Sequence, residues 1–175
     1  MLTGWHDYFF MIGSSAAALI GLMFVVVTLT AGRDRQEVER GKQLYTSPIV
    51  WHLAAVLVMS GAAIAPGIGA RLFGIICGCM ALLGLGIGLR SAIGITRRPG
   101  VADAAGFDMF WYGLAPAIVY AGLAVAAWAI GAGRSWGVPA LAADLMALLL
   151  VSIHAEWDLV TFLAPIAAPS DRNRD

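Results

Sequence analysis

Residues 138–163 read VPALAADLMALLLVSIHAEWDLVTFL, an apolar run long enough to cross a bilayer. A helix that crosses the hydrocarbon core needs about 20 predominantly apolar residues. Four ionisable side chains interrupt the run: Asp144, His154, Glu156 and Asp158. Such side chains are costly in hydrocarbon and normally face a protein interior or a water-filled cavity. The run therefore predicts a transmembrane helix, and its ionisable residues are the first candidates for a functional site.

The rest of the chain repeats this pattern. Hydrophobic residues make up 60% of the 175 residues and charged residues only 13%, whereas a soluble domain has roughly a quarter charged. We predict an all-α, polytopic helix bundle that forms a single transmembrane domain over residues 1–168. Its five spans cover about 5–31, 48–65, 72–95, 107–130 and 138–163, and a polar cytoplasmic tail follows at 169–175.

The distribution of Lys and Arg predicts the orientation of these spans. Nine of the 11 basic residues flank one set of span ends, and two flank the other. Basic residues concentrate on the cytoplasmic side of a membrane. The N-terminus is therefore predicted outside and the C-terminus in the cytoplasm. The formal net charge is +0, so no overall field favours nucleic acid as a partner.

Small residues recur four positions apart within the spans, and such strips allow two helices to pack closely. The predicted packing positions are Gly13, Ala17 and Gly21 in the first span, and Gly74, Gly78, Gly84 and Gly88 in the third. Pro116 removes a backbone donor from the fourth span, which predicts a kink there.

The predicted orientation places ionisable residues from three spans at similar depth in the cytoplasmic leaflet. This charged layer consists of His52, Arg90, His154, Glu156 and Asp158. His154 and Asp158 are four residues apart and share a helix face, whereas Glu156 points away. Histidine titrates near physiological pH and carboxylates attract cations, so the layer suits a path for protons or cations. Alternatively, Arg90 pairs with one of the acids and the layer only holds helices together.

Asp144 lies near the opposite, outer end of the fifth span. Because seven residues make almost two helical turns, it falls on one stripe with Asp158. That stripe could line a cation path, and the alternative is an interfacial residue in the first turns of the helix.

No enzyme motif is present, and no cofactor is predicted. The sequence contains no HExxH, G-x-S-x-G or Walker glycine loop. A zinc or iron site from His52, His154, Glu156 and Asp158 is chemically possible, so a metal ligand set stays open.

The opening helix, with Phe9-Phe10 followed by GSSAAALIGLMFVVVTL from Gly13, resembles that of small bacterial integral membrane proteins without an assigned function. The resemblance covers this helix alone. It implies a bacterial inner (plasma) membrane location and identifies no functional residue.

The leading hypothesis is an oligomeric channel or pore for cations or protons. Five spans can hardly enclose a hydrated path alone, so a homo-oligomer in the lipid bilayer is expected. The alternative is a non-conducting structural or regulatory subunit whose loop Arg33–Lys42 meets a cytoplasmic partner. A proton-coupled carrier or a metal-dependent intramembrane enzyme is a further alternative.

Overall fold

A computed structural model describes residues 2–29, 47–96 and 110–163. Within these ranges the chain is helical and contains no strand. The five α-helices are α1 (His6–Leu29), α2 (Ser47–Ile64), α3 (Ala70–Thr96), α4 (Ala115–Gly131) and α5 (Gly137–Leu163). A 3₁₀ turn, Thr3–Trp5, precedes α1, and a π-helical turn, Phe110–Leu114, precedes α4. The predicted all-α fold is confirmed for the described residues.

Three of the helices, α1, α3 and α5, are long and apolar enough to cross a membrane. The other two, α2 and α4, are apolar but shorter. The structure therefore supports a membrane protein, and the crossing of all five predicted spans and their orientation stay predictions. The loop Arg33–Lys42 and the tail 169–175 lie outside the described residues.

The helices form a closed bundle in which sequence neighbours pack side by side. The most extensive contact joins α3 to α4, followed by α1 with α2 and α4 with α5. Contacts of α5 with α1 close the bundle, and α2 also packs against both α3 and α5. The core is apolar: Leu53, Val56 and Met59 of α2 and Leu141, Leu145 and Leu148 of α5 are fully buried.

The outer surface of the bundle carries many large apolar side chains. Large hydrophobic side chains are exposed on every helix, among them Phe10, Leu57, Leu82, Ile118 and Leu150. Helices that are hydrophobic on all sides are typical of a membrane environment. In water, a contiguous apolar surface of this kind would lead to aggregation.

Pro116 lies in the first turn of α4, directly after the π-helical turn. Proline lacks the N–H that would continue the regular α-helical ladder, and its ring crowds the carbonyl four residues earlier. A π turn is a common way to accommodate such a break. The π turn and α4 are contiguous, so helical backbone extends from Phe110 to Gly131.

Candidate functional site

A buried side-chain hydrogen bond joins α2 to α4 in the interior of the bundle. His52 Nδ1 lies 2.8 Å from the hydroxyl of Tyr120, and the two ring centroids are 5.4 Å apart. Exposure is only 4% for His52 and 0% for Tyr120. The indole N–H of Trp51 lies near the same hydroxyl without good hydrogen-bond geometry. Because the pair is sealed within the protomer, we interpret it as a contact that fixes α2 against α4.

Gly84 of α3 makes room for this pair. A Cβ atom at position 84 would overlap the aromatic ring of Tyr120. A side chain at Gly84 would therefore displace the ring that carries the hydroxyl. Three helices, α2, α3 and α4, thus meet at one buried tyrosine.

A second polar group occupies the last turns of α5. His154 Nε2 lies 3.6 Å from Asp158 Oδ2, at the expected spacing of one helical turn. The ring of His154 also stacks on Trp111 of the π turn, with centroids 4.1 Å apart. Both polar side chains are about a third exposed. This pair therefore lies at the surface of the bundle, unlike His52.

Glu156 is half-buried on another face of α5. Its Oε1 atom is enclosed and has no hydrogen-bond partner among the described residues. An enclosed carboxylate oxygen without a donor is costly. The position therefore favours either a bound proton or a donor that is not part of the described chain.

Asp144 is half-buried between α4 and α5, where Gly122 of α4 leaves space for it. A Cβ atom at position 122 would lie 2.6 Å from Asp144 Oδ1. Asp144 forms no hydrogen bond or ion pair within the described part of the chain. Gly122 lies nine residues before the end of α4, about 13 Å along its axis. Asp144 is thus packed against the middle of α4, and both interpretations of this residue, a path-lining acid or an interfacial one, stay predictions.

The predicted charged layer does not come together as one cluster. His52 is enclosed by α4, whereas Arg90 of α3 is exposed and forms no ion pair within the described ranges. Among the described residues, no three His, Cys, Asp or Glu side chains are close enough to hold a metal ion. The structure thus gives no support to the metal site considered from the sequence.

The predicted packing residues have different surroundings. Gly74 lies closely against the α4 backbone, since an added Cβ would be 2.9 Å from Ala127 O. At Gly13 it would be 3.0 Å from Ser60 Cβ of α2, and at Gly78 3.9 Å from Ala127 Cβ. No described atom lies within 4 Å of a Cβ at Gly21 or Gly88, and Ala17 is exposed.

Sequence reasoning missed Tyr120, Gly122 and Trp111. Tyr120 could have been predicted from the sequence, because a tyrosine deep within an apolar span needs a partner for its hydroxyl. The contacts of Gly122 and Trp111 could not, since they depend on which side chain of another helix lies opposite. No protein-family model, curated protein or solved structure matches the chain.

Proposed function

We propose that this protein conducts cations or protons across a bacterial inner membrane as a homo-oligomer of five-span subunits. The observation that supports this best is the position of Asp144. Its carboxylate lies against the middle of α4, with space provided by Gly122 and no partner among the described residues. Ionisable residues at such depth are rare in membrane proteins and commonly mark ion or proton pathways.

The distance of Asp144 from the start of α5 indicates how deep its carboxylate lies in the bilayer. Asp144 lies seven residues after the start of α5, about 10 Å along its axis. The hydrocarbon core is about 30 Å thick, so a carboxylate at this distance from the helix end lies within the outer leaflet, about 5 Å short of the bilayer centre when α5 starts at the membrane boundary. Glu156 lies 12 residues further along α5, towards the opposite leaflet. The two half-buried acids are thus about 18 Å apart along one helix.

A path along α5 requires more than one copy of the chain. Within one bundle, the space between α2 and α5 is filled by apolar side chains such as Leu53, Leu145 and Leu148. A hydrated path therefore has to run along the α4–α5 side of the bundle, where Asp144 is half-buried, with other copies of the chain completing its wall. The small, exposed residues Ala17 and Gly21 of α1 offer one surface for close approach.

Five spans are supported by helix lengths. The 18 residues of α2 extend about 27 Å, and the π turn and α4 together form one helical stretch from Phe110 to Gly131.

Cysteine labelling tests the orientation. In a variant with Cys77 and Cys79 replaced by Ala, an impermeant maleimide should label Ser135→Cys in intact cells and Glu37→Cys only after permeabilisation. The opposite labelling pattern would reverse the orientation.

Flux through liposomes tests the function. The purified protein should conduct cations or protons, and Asp144→Asn and Glu156→Gln should each reduce the flux at least tenfold. Asp158→Asn should change the selectivity because it removes a carboxylate at the end of the path. Asp7→Asn is the matched control, since Asp7 is exposed in the first turn of α1. Unchanged flux in Asp144→Asn and Glu156→Gln would refute the proposal.

The second candidate is a non-conducting structural or regulatory subunit, with the loop Arg33–Lys42 as its partner-facing segment. The enclosed His52–Tyr120 pair favours it, because this buried histidine serves helix packing. Co-purification of a stoichiometric partner, together with no flux from the protein alone, would support this candidate over the first.

A further inference from the structure

The surface between α3 and α4 contains an open groove of about 620 Å³. Its walls are small or apolar and include Gly74, Gly78 and Leu82 of α3 and Ala124 and Trp128 of α4. Small-molecule sites in proteins have about this volume, 300–1,000 Å³. The glycines create the groove, because they leave the two helix backbones close together with no side chains above them.

One end of the groove is basic and the rest is apolar. Arg71 lines the groove in the first turn of α3, beside Gly131 and Ala132 at the end of α4. Its side chain is exposed and forms no ion pair within the described part of the chain. The N-terminus of α3 adds partial positive charge at the same place. The groove therefore complements an anionic phospholipid: its basic end, at the start of α3, suits the headgroup, and its apolar walls suit an acyl chain.

We propose that this groove binds an anionic phospholipid, with the headgroup phosphate at Arg71 and an acyl chain along Gly78 and Leu82. The exposed indole of Trp128 lies one turn below the basic end, at the level where aromatic side chains meet the headgroup region. Near the end of α4, the carbonyl groups of Trp128, Ala129 and Ile130 already accept hydrogen bonds from the turn that follows, which reduces their repulsion of an anion at Arg71. This lipid site is independent of the proposed conduction.

Native mass spectrometry of the detergent-purified protein tests the site with two probes, dioleoyl-phosphatidylglycerol and dioleoyl-phosphatidylcholine. The wild type should bind the anionic lipid more tightly, at one saturable site. Arg71→Gln should weaken that binding about fivefold, because a basic residue near an anionic lipid contributes about this factor. Arg134→Gln is the matched control, since Arg134 is exposed in the neighbouring α4–α5 turn and does not line the groove. Equal effects of the two substitutions would overturn the proposal.

A second variant tests the groove itself. Gly78→Leu should abolish saturable binding of both lipids because its side chain fills the space for the acyl chain. The fold should tolerate it, since a Cβ there meets only Ala127 Cβ, at 3.9 Å. If Gly78→Leu does not purify folded, Ala124→Leu fills the groove from the opposite wall. Retained binding in a folded, filled variant would contradict the proposal.

The remaining occupant to test is a second copy of the chain. With Cys77 and Cys79 replaced by Ala, Leu82→Cys should not form a disulfide-linked dimer in the membrane if lipid occupies the groove. Efficient cross-linking between copies through Leu82→Cys would show that the groove is a subunit interface and overturn the lipid proposal.

Discussion

The contact between Gly84 and Tyr120 makes a sharp prediction for a single added methyl group. In Gly84→Ala, the new Cβ would overlap the ring of Tyr120, which is fully buried and bonded to His52. The ring has little room to move, so α3 and α4 have to separate or the hydrogen bond has to break. Gly84→Ala should therefore destabilise the bundle, although alanine is the better helix former.

The magnitude follows from three contributions. Overpacking a well-packed core costs about 1–3 kcal/mol. Displacing the ring also removes the His52–Tyr120 hydrogen bond, a net loss of about 1 kcal/mol. Replacing glycine by alanine within a helix stabilises the folded state by about 0.5–1 kcal/mol. The expected net loss is therefore about 2 kcal/mol, which corresponds to a Tm lower by about 4–8 °C for a chain of this length.

Thermal unfolding in detergent, followed by tryptophan fluorescence, measures this loss. Gly86→Ala is the matched control, because Gly86 is exposed on the same helix and no described atom lies within 4 Å of an added Cβ. In a Tyr120→Leu background, the cost of Gly84→Ala should largely disappear, giving a coupling energy of at least about 1 kcal/mol. Equal Tm values for Gly84→Ala and Gly86→Ala would refute the reasoning.

Three further predictions follow from other contacts. Tyr120→Phe should lower the free energy of unfolding by about 1–3 kcal/mol, because it leaves His52 Nδ1 buried without its partner. Tyr8→Phe should lower it less, since the hydroxyl of Tyr8 donates to Ala142 O at a half-buried position. Thermal unfolding of the two variants, compared by their Tm values, measures the difference. Gly122→Ala should push the Asp144 carboxylate out of its site and reduce liposome flux, and unchanged flux would separate this site from conduction. Gly137→Ala should destabilise the α4–α5 turn by at least about 1 kcal/mol, because its Cβ would lie 2.8 Å from the backbone nitrogen of Ile130. Gly69→Ala is the control in the same unfolding measurement, since no described atom lies within 4 Å of a Cβ added at Gly69.

The candidate site shows where sequence reasoning ends. The sequence identified Asp144, His154, Glu156 and Asp158 as costly side chains in an apolar run, because desolvation depends on residue type and on the length of the run alone. It grouped them by depth along each span, and depth says nothing about direction around a helix axis. His52 therefore joined the predicted charged layer, although it lies inside the bundle against Tyr120. Arg90, at similar predicted depth, is exposed on another helix.

The sequence by itself determined that the described chain is helical and typical of a membrane protein; it predicted five spans, and three of the helices are long and apolar enough to cross a membrane. This was possible because a backbone in hydrocarbon has to satisfy its hydrogen bonds within the segment, so apolar runs of sufficient length form helices. Only the tertiary structure decided which side chains meet. The pairs His52–Tyr120, Gly84–Tyr120 and Gly122–Asp144 each join two different helices. Their contacts depend on how each helix is rotated about its own axis and shifted along its partner. A helix that is apolar on all faces determines neither from its sequence.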